Sequence, residues 1–433
     1  MKIAVIGTGY VGLVSGTCFS EFGHHVTCVD KDAGKIEALK QGIMPIYEPG
    51  LDLMVERNNS QGRLEFTTDL KTAMDGAEAV FIAVGTPTRR GGGHADLQYV
   101  FAAVEELADY ITDYTVVVTK STVPVTTGRQ IKELLSAKLD ASLFDVASNP
   151  EFLREGAAIE DFMRPDRVVV GVDNDKAKEV MKELYRPLFL NETPIVFTSR
   201  ATAEVIKYAA NAFLATKIGF INEMADLCEL VGANVQEVAH GIGLDKRIGG
   251  KFLNAGPGYG GSCFPKDTKA LVSTADDVGA AMQIVRSVID SNEKRKLAMA
   301  EKIIAACGGS VAKKKLAILG LTFKPNTDDM RDSPALDIIP ALEQAGASIH
   351  AFDPQGTKEA RELLPSINYY EDPYSPMDGA DAVVIITEWN EFRALDLNRV
   401  KDLLSSPVMI DLRNIYGRTD LSEQGFDYTG VGH

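Results

Sequence analysis

At 433 residues the chain is about three times the usual domain length, which argues for two or three domains rather than one core. Its 45% hydrophobic and 24% charged residues, with a mean hydropathy of -0.04, belong to a globular protein and exclude disorder throughout. Basic and acidic residues number 45 and 61, so a net charge of -16 repels nucleic acid and anionic membrane surfaces; any anionic ligand has to be held by local cations or backbone amides.

Strand-like apolar runs at 2–6, 25–29, 79–84, 115–119, 144–147, 167–172 and 195–197 alternate with helical patterns, as in a parallel sheet covered by helices. The first 19 residues hold one lysine and an apolar run, yet glycines at 7, 9, 12 and 16 fit a strand, turn and helix better than a secretion leader. Within that turn, Gly7-Thr8-Gly9-Tyr10-Val11-Gly12 follows a strand and opens a helix, and Asp30 lies 18 residues beyond Gly12 at the end of the next strand. The glycines serve a tight turn, close approach to a pyrophosphate and helix-to-strand packing, while the helix N-terminus stabilises phosphate charge. Asp30 is placed to accept ribose hydroxyls and to repel a 2′-phosphate, so the expected cofactor is NAD rather than NADP, although Lys31 and Lys35 stand nearby.

After the 144–147 strand comes Asn149-Pro150-Glu151-Phe152-Leu153-Arg154-Glu155-Gly156, where an open α/β sheet puts ligand-contacting loops. Its two carboxylates are acid–base candidates or, equally, helix-start charges. From 199 to 231 the pattern becomes one helical period, with Ile206, Ala210, Phe213, Phe220, Met224, Leu227 and Val231 recurring on one face. That helix, roughly 50 Å long at 1.5 Å per residue, is the expected central connector and dimer core, a plain inter-domain helix being the alternative. Lys207 and Asn211 fall four residues apart on it, the lysine either a surface charge or, with Asn211, a group that polarises or deprotonates an alcohol.

The stretch from Gly256 to Asp267, GPGYGGSCFPKD, concentrates reactive features. Pro265 suits the first turn of a helix and places Cys263 just before its N-terminus, where amides, the dipole and Lys266 favour thiolate. Asp267 shares a helix face with Cys263, and the alternative is a small buried thiol in a turn. The other cysteines, Cys18, Cys28, Cys228 and Cys307, sit in apolar patterns; five scattered thiols without a CxxC pair suggest no zinc site and fit a reducing cytoplasm. No apolar run reaches the roughly 18 residues of a membrane span.

From about 313 the first architecture repeats. KLAIL at 315–319 mirrors KIAVI at 2–6, 348–353 mirrors 25–30, and MDGAEAVFIAV at 74–84 agrees with MDGADAVVIIT at 377–387 at seven of eleven positions. The second turn, Gly320-Leu321-Thr322-Phe323-Lys324-Pro325, lacks the later glycines, so a pyrophosphate cannot lie against it in the same way; Lys324 and Arg331 beyond it are phosphate-binding candidates or a solvated loop. The expected fold is therefore α/β, with two Rossmann-like doubly wound parallel-sheet domains, 1–198 and 301–433, joined by a central helical region, 199–300, that contains one long helix.

These motifs together resemble the UDP-glucose/GDP-mannose dehydrogenase family over essentially the whole chain: GTGYVG at 7–12, Gly85-Thr86-Pro87, Lys120-Ser121-Thr122-Val123-Pro124, 149–156, 207–211, 258–267 and 323–331. The resemblance implies two NAD-dependent hydride transfers that carry a sugar CH2OH to a carboxylate without release of the aldehyde, and hence a covalent step that a thiolate supplies. It makes Cys263 the nucleophile, with Lys207, Asn211, Asp267 and a water managing protons and the oxyanion, Thr122 holding that water and Glu151 assisting hydrolysis of the thioester. It assigns the sugar nucleotide to Glu151, Phe152, Leu153, Arg154, Glu155, Lys207, Asn211, Phe252, Leu253, Asn254, Ala255, Gly256, Gly260 and Lys324, with Arg247 reaching a neighbouring subunit's site. NAD falls to Gly7, Gly9, Val11, Gly12, Asp30, Lys35, Thr86, Thr122, Glu155, Lys266 and Arg331. Asn254 stands where relatives often carry a basic residue. Ser262 and the Lys266-Asp267 pair favour UDP-glucose over UDP-N-acetyl sugars, with GDP-mannose the nearer rival; a homo-oligomer, at least a dimer, is implied. A two-electron hydroxyacid dehydrogenase and a non-catalytic NAD sensor are the readings from other classes.

Overall fold

The computed structural model describes residues 1–87 and 93–433, and by spatial contact they form two units, Met1–Ala210 with Lys269–Ala280, and Asn211–Thr268 with Ala281–His433. The first unit is built on an eight-stranded sheet: β1 (Lys2–Ile6), β2 (His25–Val29), β3 (Leu64–Thr67), β4 (Ala79–Ile82), β5 (Thr115–Thr119), β6 (Phe144–Ser148), β7 (Val168–Gly171) and β8 (Ile195–Thr198), in the order β3-β2-β1-β4-β5-β6-β7-β8. The first six strands are parallel and doubly wound. β7 then pairs antiparallel with β6 through Ser148 and Gly171, and β8 runs parallel to β7, so the sheet ends in a reversed pair that apolar runs alone do not announce.

Both faces of this sheet are covered, which is why its central strands are predominantly apolar on both sides. Ile3, Val5, Phe81, Val116 and Val118 point into one core with Leu13, Phe19, Phe162 and Tyr185, while Ala4, Ile6, Val80, Ile82 and Val117 point into the other with Val104 and Ile131. The alternation is the two-residue period of a strand, and each fully buried Val, Ile or Phe contributes about 1.5–3 kcal/mol relative to exposure. Cys18 and Cys28 belong to the first of these cores, and all five cysteines are free.

The second unit carries a six-stranded, all-parallel sheet: β9 (Lys315–Leu319), β10 (Ser348–Phe352), β11 (Asn368–Tyr369), β12 (Ala382–Ile385), β13 (Val408–Asp411) and β14 (Asp427–Thr429), in the order β11-β10-β9-β12-β13-β14. This repeats the winding of β3-β2-β1-β4-β5-β6, so the internal sequence repeat is a structural one. The strands absent from the sequence reading, β3, β11, β13 and β14, have two to four residues. The long helix spans Arg200–Val231 and contributes residues to both units; its 32 residues measure about 48 Å at the standard rise. Among the described residues, no helix is long and apolar enough to cross a membrane.

One buried cation stands at the end of β5. Lys120 is 5% exposed, and its ammonium donates to Asn149 Oδ1 at 3.1 Å and to the Tyr185 hydroxyl at 3.3 Å, over the rings of Phe162 and Tyr185. Burial pulls its pKa from the ordinary 10.5 down to about 8, against the pull of Glu151. Between those two values the unfolded chain holds a proton that the folded chain lacks, so this lysine's penalty is full below about pH 8 and relieved as pH rises toward 10.5. Lys120→Met, which leaves the Tyr185–Asn149 bond in place, is therefore expected to stabilise the fold at pH 7 by about 2–3 kcal/mol, with the gain fading toward pH 10. Denaturant unfolding at both pH values checks this, and a Met variant weaker than the parent at pH 7 contradicts it.

Candidate active site

The dinucleotide turn is formed as its glycines require. Gly7 takes φ +101°, and a Cβ there would lie 2.6 Å from the Ala83 carbonyl oxygen. A Cβ on Gly12 would strike the Gly7 carbonyl, whereas Gly9 faces open space, the room that a pyrophosphate needs at the start of the helix Tyr10–Glu21. Asp30 ends β2 beside it: its Oδ2 accepts from the Thr8 amide at 2.9 Å, the Thr8 hydroxyl at 2.8 Å and Lys35 Nζ at 3.3 Å, and its Oδ1 accepts from the Asp32 amide. Burial works against ionisation of Asp30, but these donors outweigh it and hold the carboxyl below its usual range. An ionised carboxylate, open space at Gly9 and a helix N-terminus fit NAD. Thr86, just after β4, donates its hydroxyl to the Thr122 carbonyl at 3.0 Å and ties the chain after β4 to the chain after β5.

The second copy of the turn has a different fate. Its Gly320 repeats the positive φ, at +87°, but Asp353 Oδ2 accepts from the amides of Leu321 and Thr322, the Thr322 hydroxyl and the Trp389 indole. A 2% exposed carboxylate thus satisfies the amides that an anionic ligand would use.

In the first unit, Lys207 Nζ donates to Glu151 Oε1 at 3.0 Å, with both side chains 4% exposed. Such an ion pair survives burial only with further hydrogen bonds; Glu151 Oε2 accepts the Leu153 amide at 2.6 Å, and Lys207 lies over the Phe152 ring, which also stacks on Arg167. Arg154 forks onto Asp161, so its guanidinium serves the loop's own geometry. Three residues before Lys207, the buried Glu204 accepts the amides of Thr126 and Gly128 at 2.7 and 2.9 Å and the Ser148 hydroxyl at 3.1 Å. Burial pushes the Glu204 carboxyl above its usual range against those donors. It fixes the start of the long helix to the chain that carries Thr122.

In the second unit, Asn211 Nδ2 donates to Asp267 Oδ2 at 2.7 Å, and Lys266 Nζ reaches Asp267 Oδ1 at 2.7 Å. The helix Phe264–Asp277 starts directly after Cys263, whose carbonyl accepts the Asp267 amide at 2.8 Å, so thiol and carboxylate share its first turn as Pro265 implied. Cys263 is partly exposed and lies 3.5 Å from the Ser262 hydroxyl; the other four thiols are buried. The preceding glycine loop is clamped from behind. Asn222 accepts the Gly256 amide, Arg295 donates to the Gly256 carbonyl at 2.6 Å, and Asn292 brackets Tyr259 at both its amide and its carbonyl. Gly260 lies so close to the Asp332 carbonyl that no side chain fits.

Leu253, Asn254 and Ala255 line a cavity of about 590 Å³ with His240, Arg393 and Arg413, a volume suited to a small ligand. Arg331 forks onto Asp329 in its own loop, Lys324 lies over the Phe323 ring, and Arg247, its side chain 89% exposed, folds back onto Asp245. Phe252 stands at φ +64°, its ring tilted against that of Phe264 with centroids 6.0 Å apart. Sequence reasoning missed Glu204, Asn222, Asn292, Arg295 and Arg413, because single polar residues in a helix or after a strand carry no motif. Glu204 and Asn222 do fall on the polar interruptions of the long helix, the one signal that was available.

Comparison with known proteins agrees with this arrangement. Residues 1–189 match the NAD binding domain of the UDP-glucose/GDP-mannose dehydrogenase family, 201–294 its central domain and 317–418 its UDP binding domain. The UDP-glucose 6-dehydrogenase of Rhizobium meliloti (strain 1021) is 60% identical over 434 residues, covering 100% of this chain and 99% of that protein. UDP-glucose 6-dehydrogenase TuaD of Bacillus subtilis (strain 168) is 49% identical, covering 100% and 93%. A solved UDP-glucose dehydrogenase from the hyperthermophilic archaeon Pyrobaculum islandicum superposes with a TM-score of 0.91 at 37% identity, covering 99% of this chain and 97% of that one. With all three domains matched in order and its relatives matched nearly end to end, the chain belongs to the UDP-glucose/GDP-mannose dehydrogenase family.

Proposed function

We propose that the chain oxidises UDP-glucose to UDP-glucuronate through a covalent intermediate on Cys263, drawing two hydrides from each sugar. The observation that carries this reading is the placement of a partly exposed thiol at a helix start, on the same first turn as the Asp267 that holds Asn211. The 60% identity to a UDP-glucose 6-dehydrogenase favours that sugar nucleotide over GDP-mannose. NAD, when held at the dinucleotide turn, would supply the hydride acceptor for both oxidations. Lys207 and Asn211 polarise the sugar oxygen, and Asp267, with a water held near Thr122, receives the alcohol's proton. The Cys263 sulfur adds to the aldehyde carbon as a thiohemiacetal, whose oxyanion the Lys207 ammonium and Asn211 amide stabilise. Loss of the second hydride leaves a thioester. Glu151 directs water onto its carbonyl, releasing the carboxylate and the thiol. Residues 151–155, 252–256, Gly260 and Lys324 hold the sugar nucleotide, Arg247 serves a neighbouring copy, and Gly7, Gly9, Val11, Gly12, Asp30, Lys35, Thr86, Thr122, Glu155, Lys266 and Arg331 hold NAD. Five free thiols, one of them the proposed nucleophile, support a reducing compartment, the cytoplasm.

The long helix supports a dimer as part of this reading. Phe213, Phe220 and Leu227 recur every seven residues and are 66%, 47% and 49% exposed, with Leu230 at 86%. An apolar stripe at that spacing matches a second copy of the same helix.

Cys263→Ser is expected to form one NADH per sugar and then stall, with uronate formation reduced on the order of 10³-fold or more; normal uronate turnover by this variant, followed by chromatography of the sugar nucleotides, removes the covalent step. Asp30→Ala is expected to weaken NAD roughly 10- to 100-fold, the scale of a lost charged hydrogen bond, and to leave UDP-glucose binding intact by calorimetry. Light scattering of the native chain is expected to give twice its 46.8 kDa, and Phe220→Glu to give the single mass; an unchanged mass rules out this helix as the interface.

A further inference from the structure

Two oxidations on one sugar require that the first reduced cofactor leave and a fresh one enter while the half-oxidised sugar remains bound. The loop 149–156, which carries Glu151 and Glu155, must keep its shape through that exchange. Its far end is held by two residues that no step above employs. Glu48, 5% exposed in the segment between the helices Ala33–Lys40 and Leu51–Ser60, accepts the Gly156 amide at 2.6 Å on Oε2 and the Ala158 amide at 2.8 Å on Oε1. The Tyr10 hydroxyl, from the dinucleotide turn itself, donates to Glu48 Oε2 and accepts the Gly156 amide at 3.1 Å. Gly156 adopts φ +77°, a conformation in which a side chain would be strained, so the loop's exit is set by backbone as well as by these bonds.

The chemistry of the group suits a fixed clamp. A buried carboxylate with three donors converging on it has its acceptor sites directed and no rotamer freedom to spare. Burial first, then the Glu48 hydrogen bond and charge, push the Tyr10 phenol far above its usual range, so it remains a donor at any working pH. Every bond in the group is protein to protein; none has to break when a dinucleotide leaves the turn.

We propose that Tyr10 and Glu48 are positioning residues that hold the 149–156 loop during cofactor exchange, so that the aldehyde-level sugar is retained until its second oxidation. This rests on the four-electron reading above. The loop is shaped further by Glu151 on the Leu153 amide and by Arg154 on Asp161, and the Tyr10–Glu48 group joins it to the dinucleotide turn. A loosened loop lowers the fraction of sugar carried to the acid, without removing any group that touches it.

The test is a partition experiment with limiting UDP-glucose, excess NAD and O-benzylhydroxylamine as an aldehyde trap, scoring oxime, uronate and NADH per sugar. The native chain is expected to give two NADH and only trace oxime. Tyr10→Phe keeps the ring and removes the bridging hydroxyl; it is expected to raise oxime at least about tenfold, to lower NADH per sugar below two by the fraction trapped, and to leave the first-hydride rate near native. Glu48→Gln keeps the shape and weakens acceptance of the two amides, and is expected to leak in the same direction. Native partition in folded Tyr10→Phe overturns the proposal, because a purely structural role changes thermal stability without changing where the sugar goes. One NADH per sugar from the native chain instead overturns the four-electron reading, and the clamp's proposed purpose with it.

Discussion

One helical turn, from Lys207 to Asn211, sets the spacing on which the proposed chemistry depends. The two side chains leave the same face of a continuous helix about 6 Å apart along its axis, and each is already held: Lys207 by Glu151, Asn211 by Asp267. A buried ammonium and a buried amide with engaged partners cannot wander to other rotamers without leaving an unsatisfied group, which costs about 1–3 kcal/mol, more for a charge. The helix start is anchored by Glu204 on two amides and a hydroxyl, and the glycine loop before Cys263 by Asn222, Asn292 and Arg295. The groups proposed to meet the sugar are therefore supported by residues that never need to touch it.

A chain with a net charge of -16 has to hold anionic ligands by local means, and the two repeats show how little separates a turn that can do so from one that cannot. Both turn on a left-handed glycine after the first strand, and in both a strand-ending aspartate accepts the amide that follows it. In the first copy Asp30 takes one amide of the turn, that of Thr8, and leaves open space at Gly9. In the second, Thr322 replaces that glycine, and Asp353 takes its amide and hydroxyl as well. The loss of the later glycines and one deeper carboxylate turn the same winding into a closed structural corner.

Much of this was legible in the residues because the relevant signals are periodic or conformational. Unbroken apolar runs located the long central strands; the dinucleotide glycines located the turn; Pro265 located the helix that Cys263 precedes. The reversed pair β7–β8 was not legible, since an apolar strand reads the same in either direction and the chain reversal lies in packing. Short edge strands such as β11, with two residues, show no period at all. The supporting polar residues were hidden for a further reason: Glu48, Glu204, Asn292 and Arg295 act on backbone amides and carbonyls far away in sequence, and a backbone partner leaves no mark on residue identity.

The central claim, two oxidations on one sugar without release between them, is tested most directly by counting reduced cofactor. With UDP-glucose limiting and NAD in excess, absorbance at the nicotinamide band against the sugar consumed should give two NADH per UDP-glucose, with UDP-glucuronate as the product. One NADH per sugar, or turnover of GDP-mannose with UDP-glucose left untouched, would contradict the account.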